Sequence, residues 1–381
     1  MIIGVGETAV GVVPGMSSMK MYAEALTAAV ADAGLELDQV DGLLTCGSMV
    51  EKWPRHAVAI AEHLGILGNL RIAHEISLGG ASSTAAIALA AQLVADGTCR
   101  NVVVAGADPQ LSGMSRQRAI EAMAGFRHGE FEGPYGPLNP SCFALLAQRH
   151  MHEYGTRRED LARVAVTQRA HAALTGKAHM QATLTIDDVL DAKPISSPLR
   201  MFDCSLVSDG GAAVVVSTDS ASDRAVRIEG FGEGYASHDH ISTIRTLDQG
   251  ALGAEAAAAR AFEMAGLRPA DVDVAILYDC FTITPILLLE NLGFVKQGGG
   301  GRYIADEGIG LTSRLPVNTH GGLLSYAHAG YPSIMFGVVE AVRQLRRDCG
   351  ERQVADPSVA LVHGLGGMFS VHATLLLGVN D

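Results

Sequence analysis

Three short segments of this chain carry side chains able to move protons or attack a carbonyl. Tyr278-Asp-Cys-Phe281 offers a phenol and a thiol, and Asn318-Thr-His-Gly-Gly-Leu-Leu-Ser-Tyr-Ala-His-Ala-Gly330 offers His320, Tyr326 and His328. His363-Gly-Leu-Gly-Gly367 adds a third imidazole. Tyr, Cys and His are the groups of general acid–base chemistry, and a thiolate is also a nucleophile. Tyr278 and Cys280 follow the apolar run Val274-Ala-Ile-Leu277, so they stand at the C-terminal end of a strand, where α/β proteins place ligands. Gly321, Gly322 and Gly330 around His328 argue for close backbone approach to a ligand, which a satisfied loop histidine would not need. A buried tyrosine ending a strand is commonly a hydrogen-bonded core residue, so Tyr278 rests on its position as much as its type. Cys46, Cys99, Cys142, Cys204, Cys280 and Cys349 are scattered without a CxxC pair, which predicts neither a zinc site nor a disulfide framework.

The elements that position these groups are written twice. Ala33-Gly-Leu-Glu-Leu-Asp-Gln-Val-Asp41 returns as Ala265-Gly-Leu-Arg-Pro-Ala-Asp-Val-Asp273, an offset of 232 (265 minus 33). Each copy follows an Ala-rich stretch, 22–33 or 251–265, and precedes an apolar run, predicting helix, glycine stop, turn and strand. Solenoid repeats run roughly 20–50 residues, so this period indicates two similar half-molecules. The helix Ala81–Asp96, stopped by Gly97, and the strand Asn101-Val-Val-Val-Ala105 continue the βα alternation. Residues 109–200 break it with Gly/Pro-rich loops and polar helices, as an insertion covering a site would. A glycine turn at Ser208-Asp-Gly-Gly-Ala-Ala enters a buried strand, echoed by Leu365-Gly-Gly-Met-Phe near the C-terminus. The halves are therefore expected to span 1–222 and 223–381.

At 381 residues and 48% hydrophobic, with 44 glycines, the chain can bury a large α/β core. A formal net charge of −13 argues against nonspecific nucleic-acid binding, since no basic excess exists to displace counterions. No apolar run reaches the roughly 18–20 residues of a membrane span, and Met1-Ile-Ile-Gly-Val-Gly lacks the charged start of a signal peptide, so a cytoplasmic location is expected. Arg116, Arg118, Arg127, Arg157, Arg158, Arg163, Arg169 and Lys177 concentrate cations in the insertion.

Gly79-Gly-Ala-Ser-Ser-Thr84, Tyr278-Asp-Cys-Phe281, the Asn318–Gly330 segment and His363-Gly-Leu-Gly-Gly367 together resemble the thiolase superfamily, in its lipid-transfer-protein or sterol-carrier-thiolase branch, over essentially the whole chain. The resemblance implies a duplicated α/β fold of two mixed-sheet halves in five αβαβα layers, and a coenzyme A thioester as substrate. It implies a nucleophilic cysteine at the N-terminus of the helix that follows the second strand, activated by the helix dipole. That slot is Gly80, or Gly79 if the register slips by one, and Cys46 and Cys99 are placed at the far ends of flanking strands. Tyr278 takes the position of an Asn or His that holds a water, and Cys280 that of an acid/base cysteine. Ala327-His328-Ala329 resembles the Gly-His-Pro loop whose histidine stabilises an enolate; His320, Tyr326 and His363 are weaker candidates. Of the cations, Arg116, Arg118, Arg127 and Lys177 are assigned to coenzyme A phosphates.

A pocket with the histidine but no nucleophile suits retro-aldol cleavage of a 3-hydroxyacyl-CoA, which needs a base but no covalent intermediate. Steroid side-chain aldolases of this branch carry Tyr-Asp-x-Phe followed by Leu-Pro-x-Asn-Thr-His-Gly-Gly, matched here by Leu315-Pro-Val-Asn-Thr-His-Gly-Gly322. Those relatives act with a small OB-fold and zinc-ribbon partner. Thiolase-type acyl transfer through Cys280 and a non-catalytic acyl-CoA- or lipid-binding role are the alternatives. The resemblance also implies a homodimer, and the apolar run Ile283–Leu289 is expected to receive the acyl group.

Overall fold

Each half begins with a strand and helix packed almost backbone to backbone. A Cβ on Gly4 or Gly6 of β1 (Ile2–Glu7) would strike the carbonyls of Ala29 and Ala25 on α1 (Ser18–Asp32). Gly230 and Gly232 of β8 (Arg227–Tyr235) meet Ala261 and Ala257 of α8 (Ala254–Ala265) in the same way. The Ala-rich stretches are helices because Ala suits both the helix and this close approach. Ser17 caps α1 by accepting from the Lys20 N–H at 3.2 Å, and Met21, Tyr22, Ala25, Leu26, Ala29 and Val30 make its buried stripe.

The computed structural model describes residues 1–218, 224–241, 244, 246–247 and 252–380. In the first half, β2 (Gly42–Thr45), α2 (His56–His63), β3 (Ile72–Glu75), α3 (Ser82–Ala95) and β4 (Asn101–Pro109) follow in order. The insertion then contributes α4 (Arg116–Ala124), α5 (Asn139–Tyr154), α6 (Arg158–Ala173), α7 (Ile186–Asp191) and the small hairpin β5 (Pro194–Ser196) and β6 (Leu199–Arg200), before β7 (Asp209–Ser217). The sheet order is β1-β7-β4-β2-β3, with β4, β2 and β3 parallel and β7 antiparallel to both its neighbours.

After β8 and α8 come β9 (Val274–Leu277), α9 (Ile283–Asn291), α10 (Gly300–Asp306), α11 (Gly322–Ser325), α12 (Ser333–Leu345), β10 (Val359–Gly366) and β11 (Val371–Gly378). The second sheet runs β8-β11-β10-β9, the order of the first without its fifth strand; Val317 bridges in parallel to Ala275 where that strand would lie. Helices α3 and α12 touch both sheets and form the middle layer, while α1 and α8 cover the outer faces. A middle helix needs apolar surface all round, and α12 is buried from Ser333 through Val342.

The duplicated, five-layered α/β fold expected from the sequence is the one observed. The expected boundary at residues 222 and 223 lies outside the described residues. Gly210 and Gly211 do not form a turn before β7 but lie inside it, opposite Asp108 and Ala107. Ile283–Leu289 forms the body of α9 and is buried in the core, so it is not a free acyl-binding surface. Among the described residues no helix is long and apolar enough to cross a membrane, and no group of three His, Cys, Asp or Glu side chains could hold a metal ion.

Candidate functional site

Strand β9 delivers Tyr278 at its C-terminal end, where the Tyr278 N–H continues the parallel ladder by donating to the His363 carbonyl at 3.1 Å. Asn318 fastens the second chemistry-bearing segment alongside: its carbonyl oxygen accepts from the Leu277 N–H at 2.7 Å and its amide donates to the Leu277 carbonyl at 2.8 Å. Tyr278 Oη then lies 3.3 Å from His328 Nε2, with the two rings at 89°. On its far side, His328 Nδ1 is 2.8 Å from Ser205 Oγ. Ser208 closes the arrangement by accepting from the His328 N–H at 3.2 Å and donating its own N–H to the His328 carbonyl at 2.9 Å.

Among the described residues no carboxylate is bonded to the His328 ring, and burial pushes the imidazole down to about 4, so it is neutral at neutral pH. In the tautomer that carries its proton on Nδ1, toward Ser205, Nε2 is the acceptor for the Tyr278 phenol. Burial, together with neighbouring Cys280 and Asp279, holds the Tyr278 phenol well above its ordinary range. Tyr278 is therefore no free phenolate, but it can pass a proton to His328 while receiving another.

The Tyr278 ring also decides what fits at Gly80. A Cβ there would collide with the edge of the aromatic ring and with the Leu365 carbonyl. The cysteines are close by but inert. Cys46 follows β2 and reaches the first turn of α3, its Sγ 3.4 Å from Ser83 Oγ, which corrects the expectation that it sits at a far strand end; burial raises its thiol to about 12. Cys280 is buried too, its thiol raised well above the usual range by burial and by Asp279, and bonded to Thr284.

The remaining candidates have other partners. His320 packs at 5.2 Å from the Tyr326 ring, in a cavity it shares with Glu340 and Arg352. Tyr326 donates its hydroxyl to Glu7 at 2.9 Å. His363 is bonded to Thr374 at 2.8 Å and His372 at 2.9 Å; its neighbour Gly364 faces α3, which turns His363 to the other side of the sheet. Each of these weaker candidates is thus bonded or packed against partners other than His328, and strand alternation turns His363 to the face away from α3. Arg127 spends its guanidinium on the Pro137 carbonyl and Asn139, and Lys177 is paired with Glu7 at 2.8 Å, so neither is an open phosphate ligand. Arg116 and Arg118 lie exposed on α4.

Sequence reasoning missed Ser205, Ser208, Asn318 and Asp279. Asp279 is fully buried, raised to about 8 by burial, and accepts from Leu323 N–H at 2.7 Å, fixing the start of the segment that ends in His328. Ser208 heads a motif read only for its glycines, while nothing around Ser205 marks it.

Residues 1–220 match the family model for the thiolase N-terminal domain, and residues 234–379 match the thiolase C-terminal domain-like model. A steroid side-chain-cleaving aldolase of Thermomonospora curvata is 36% identical over 91% of this chain and 90% of its own. An acetyl-CoA acetyltransferase of Methanothermobacter thermautotrophicus is 33% identical over 96% of both chains. Among solved structures, an Ltp2-ChsH2(DUF35) aldolase superposes with a TM-score of 0.85 at 34% identity, covering 99% of this chain and 97% of that one.

Proposed function

The chain belongs to the thiolase superfamily, and from that premise we propose that it cleaves the C2–C3 bond of a 3-hydroxyacyl-CoA thioester by a retro-aldol reaction. The observation that carries this reading is the double placement of Tyr278: its ring fills the space a side chain at position 80 would need, and its hydroxyl meets a neutral His328. The substrate hydroxyl gives its proton to Tyr278 as the phenol proton passes to His328 Nε2. The C2–C3 electron pair moves into the thioester as an enolate, and C3 leaves as a ketone or aldehyde. The imidazolium just formed offsets the enolate charge, and return of the proton through Tyr278 to C2 yields the shorter acyl-CoA.

The similarity to the Thermomonospora curvata aldolase supports a bulky steroid-type acyl chain, and the Ltp2-ChsH2(DUF35) structure supports a DUF35-type partner of the OB-fold and zinc-ribbon class completing the pocket. Arg116 and Arg118 are assigned to the coenzyme A phosphates. A homodimer is the expected assembly, supported by β3, which forms the open edge of the first sheet. A cytoplasmic setting accords with the free cysteines and a coenzyme A substrate.

The deciding experiment incubates the protein, with and without a DUF35 partner, with 3-hydroxyacyl-CoA thioesters, and reads small products and intact protein mass from one tube. A released ketone or aldehyde with a shorter acyl-CoA, lost in Tyr278→Phe, is expected. An acyl adduct on the protein that disappears in Cys280→Ser would sink the lyase.

A further inference from the structure

The segment that carries His328 is held from behind by a carboxylate of the other half. Glu7, the last residue of β1, keeps its side chain only 5% exposed and collects three donors: the Tyr326 hydroxyl at 2.9 Å, the Lys177 ammonium at 2.8 Å and the Arg343 guanidinium. They come from the His328 segment, the insertion and α12 respectively, so one side chain ties β1 to all three. The backbone on either side of Tyr326 is clamped as well, with its carbonyl accepting from His179 N–H at 2.9 Å and that of Ser325 from Met180 N–H at 3.1 Å. Tyr326 lies two residues before His328, with its ring wedged between His320 and Phe336. Only Ala327 separates Tyr326 from His328, whose Nε2 lies 3.3 Å from Tyr278 Oη, so the anchoring of Tyr326 bears on the backbone that carries the imidazole.

We propose that Glu7 is a positioning residue: acting through the Tyr326 hydroxyl, it sets the distance from His328 Nε2 to Tyr278 Oη. This rests on the reading that His328 takes the Tyr278 proton. A carboxylate suits the task because a charge-assisted bond has a narrower geometry than a neutral one, and burial denies it water as a substitute. Lys177 and Arg343 keep the carboxylate ionised and aimed.

Tyr326→Phe removes one hydroxyl and keeps the ring. It is expected to lower kcat about ten- to a hundredfold with KM held within about twofold, since binding is untouched and only a proton-transfer distance changes. Glu7→Gln is expected to act in the same direction, and the double variant to be no slower than the slower single, because both lose the Glu7–Tyr326 bond and Glu7→Gln loses its Lys177 and Arg343 ion pairs as well. Independent, multiplying effects, an unchanged kcat, or a loss confined to KM would overturn the proposal. If Glu7→Gln fails to fold, Tyr326→Phe alone decides. Imidazole nitrogen resonances of His328 give a second readout that needs no turnover: they are expected to move in Tyr326→Phe, and identical spectra overturn the positioning role. If the wild-type chain cleaves no 3-hydroxyacyl-CoA, the lyase reading fails while the spectra still decide this one.

Discussion

The Tyr278 ring lies in the volume into which any side chain at Gly80 would project. The two positions therefore exclude one another's functions, since a nucleophile at position 80, just ahead of α3, and a tyrosine at the end of β9 cannot both be accommodated. Gly80→Cys is expected to lose lyase activity more than a hundredfold without gaining thiolase activity, and Gly80→Ala to lose nearly as much, because a displaced catalytic group forfeits about that factor. Steady-state kinetics with both substrate classes checks it. Gain of thiolysis in Gly80→Cys would show that the ring moves aside freely.

Tyr278→Phe is expected to lower kcat by about two to four orders of magnitude with little change in melting temperature, as the general acid–base contribution disappears and the packing does not. Ser205 acts through His328, so Ser205→Ala should cost only about five- to tenfold. The informative variant is Ser205→Asp. A carboxylate beside Nδ1 favours the imidazolium and raises the His328 pKa from about 4, moving the acid limb of the kcat profile to higher pH. A profile that stays in place would remove Ser205 from the relay.

Cys280→Ser should retain most activity, and no acyl adduct should form on the wild-type protein. The Cys280 thiol is held protonated by burial and by Asp279, which leaves a poor nucleophile. Intact-mass spectrometry after reaction with an acyl-CoA checks both statements.

Stability should peak near about pH 6.5. His56, His320, His328 and His372 are all lowered by burial from 6.5 to about 4. The unfolded chain binds their protons first, so stability present above pH 6.5 is lost as pH falls toward 4. Asp279 and Asp108 run the other way: burial raises them from 3.8 to about 8 and about 6. The folded state keeps their protons, so their contribution declines as pH rises, and above 6.5 only Asp279 of these groups is still titrating. Urea midpoints across this range should fall on both sides of the maximum, and Asp279→Asn should abolish the fall between 6.5 and 8.

Much of the architecture was legible because it depends on periodic local signals. Ala-rich stretches with glycine stops became α1, α3 and α8, and the apolar runs after the repeated turn became β2 and β9. Tyr278 and His328 were legible as two separate segments, each marked by its surroundings. What joins them was not: Ser205 is 123 residues from His328 in sequence and carries no pattern, and Glu7 meets Tyr326 across 319 residues. The same blindness to distant partners misassigned Lys177, whose charge is spent on a carboxylate 170 residues away. Direction was equally hidden, since His320 and Tyr326 share a segment with His328 yet turn into the cavity lined by Glu7 and Glu340.

Cys46 and Tyr278 are each the first residue beyond the second strand of their half, and 278 minus 46 is 232, the offset of the sequence repeat. They occupy the same place in the two copies of the repeat. In the first copy it has become a sealed thiol against Ser83, in the second a phenol aimed at His328. A single-copy protein would have had to reconcile both demands in one residue. The same slot of the repeat thus serves the packed interior in one half and faces the candidate site in the other.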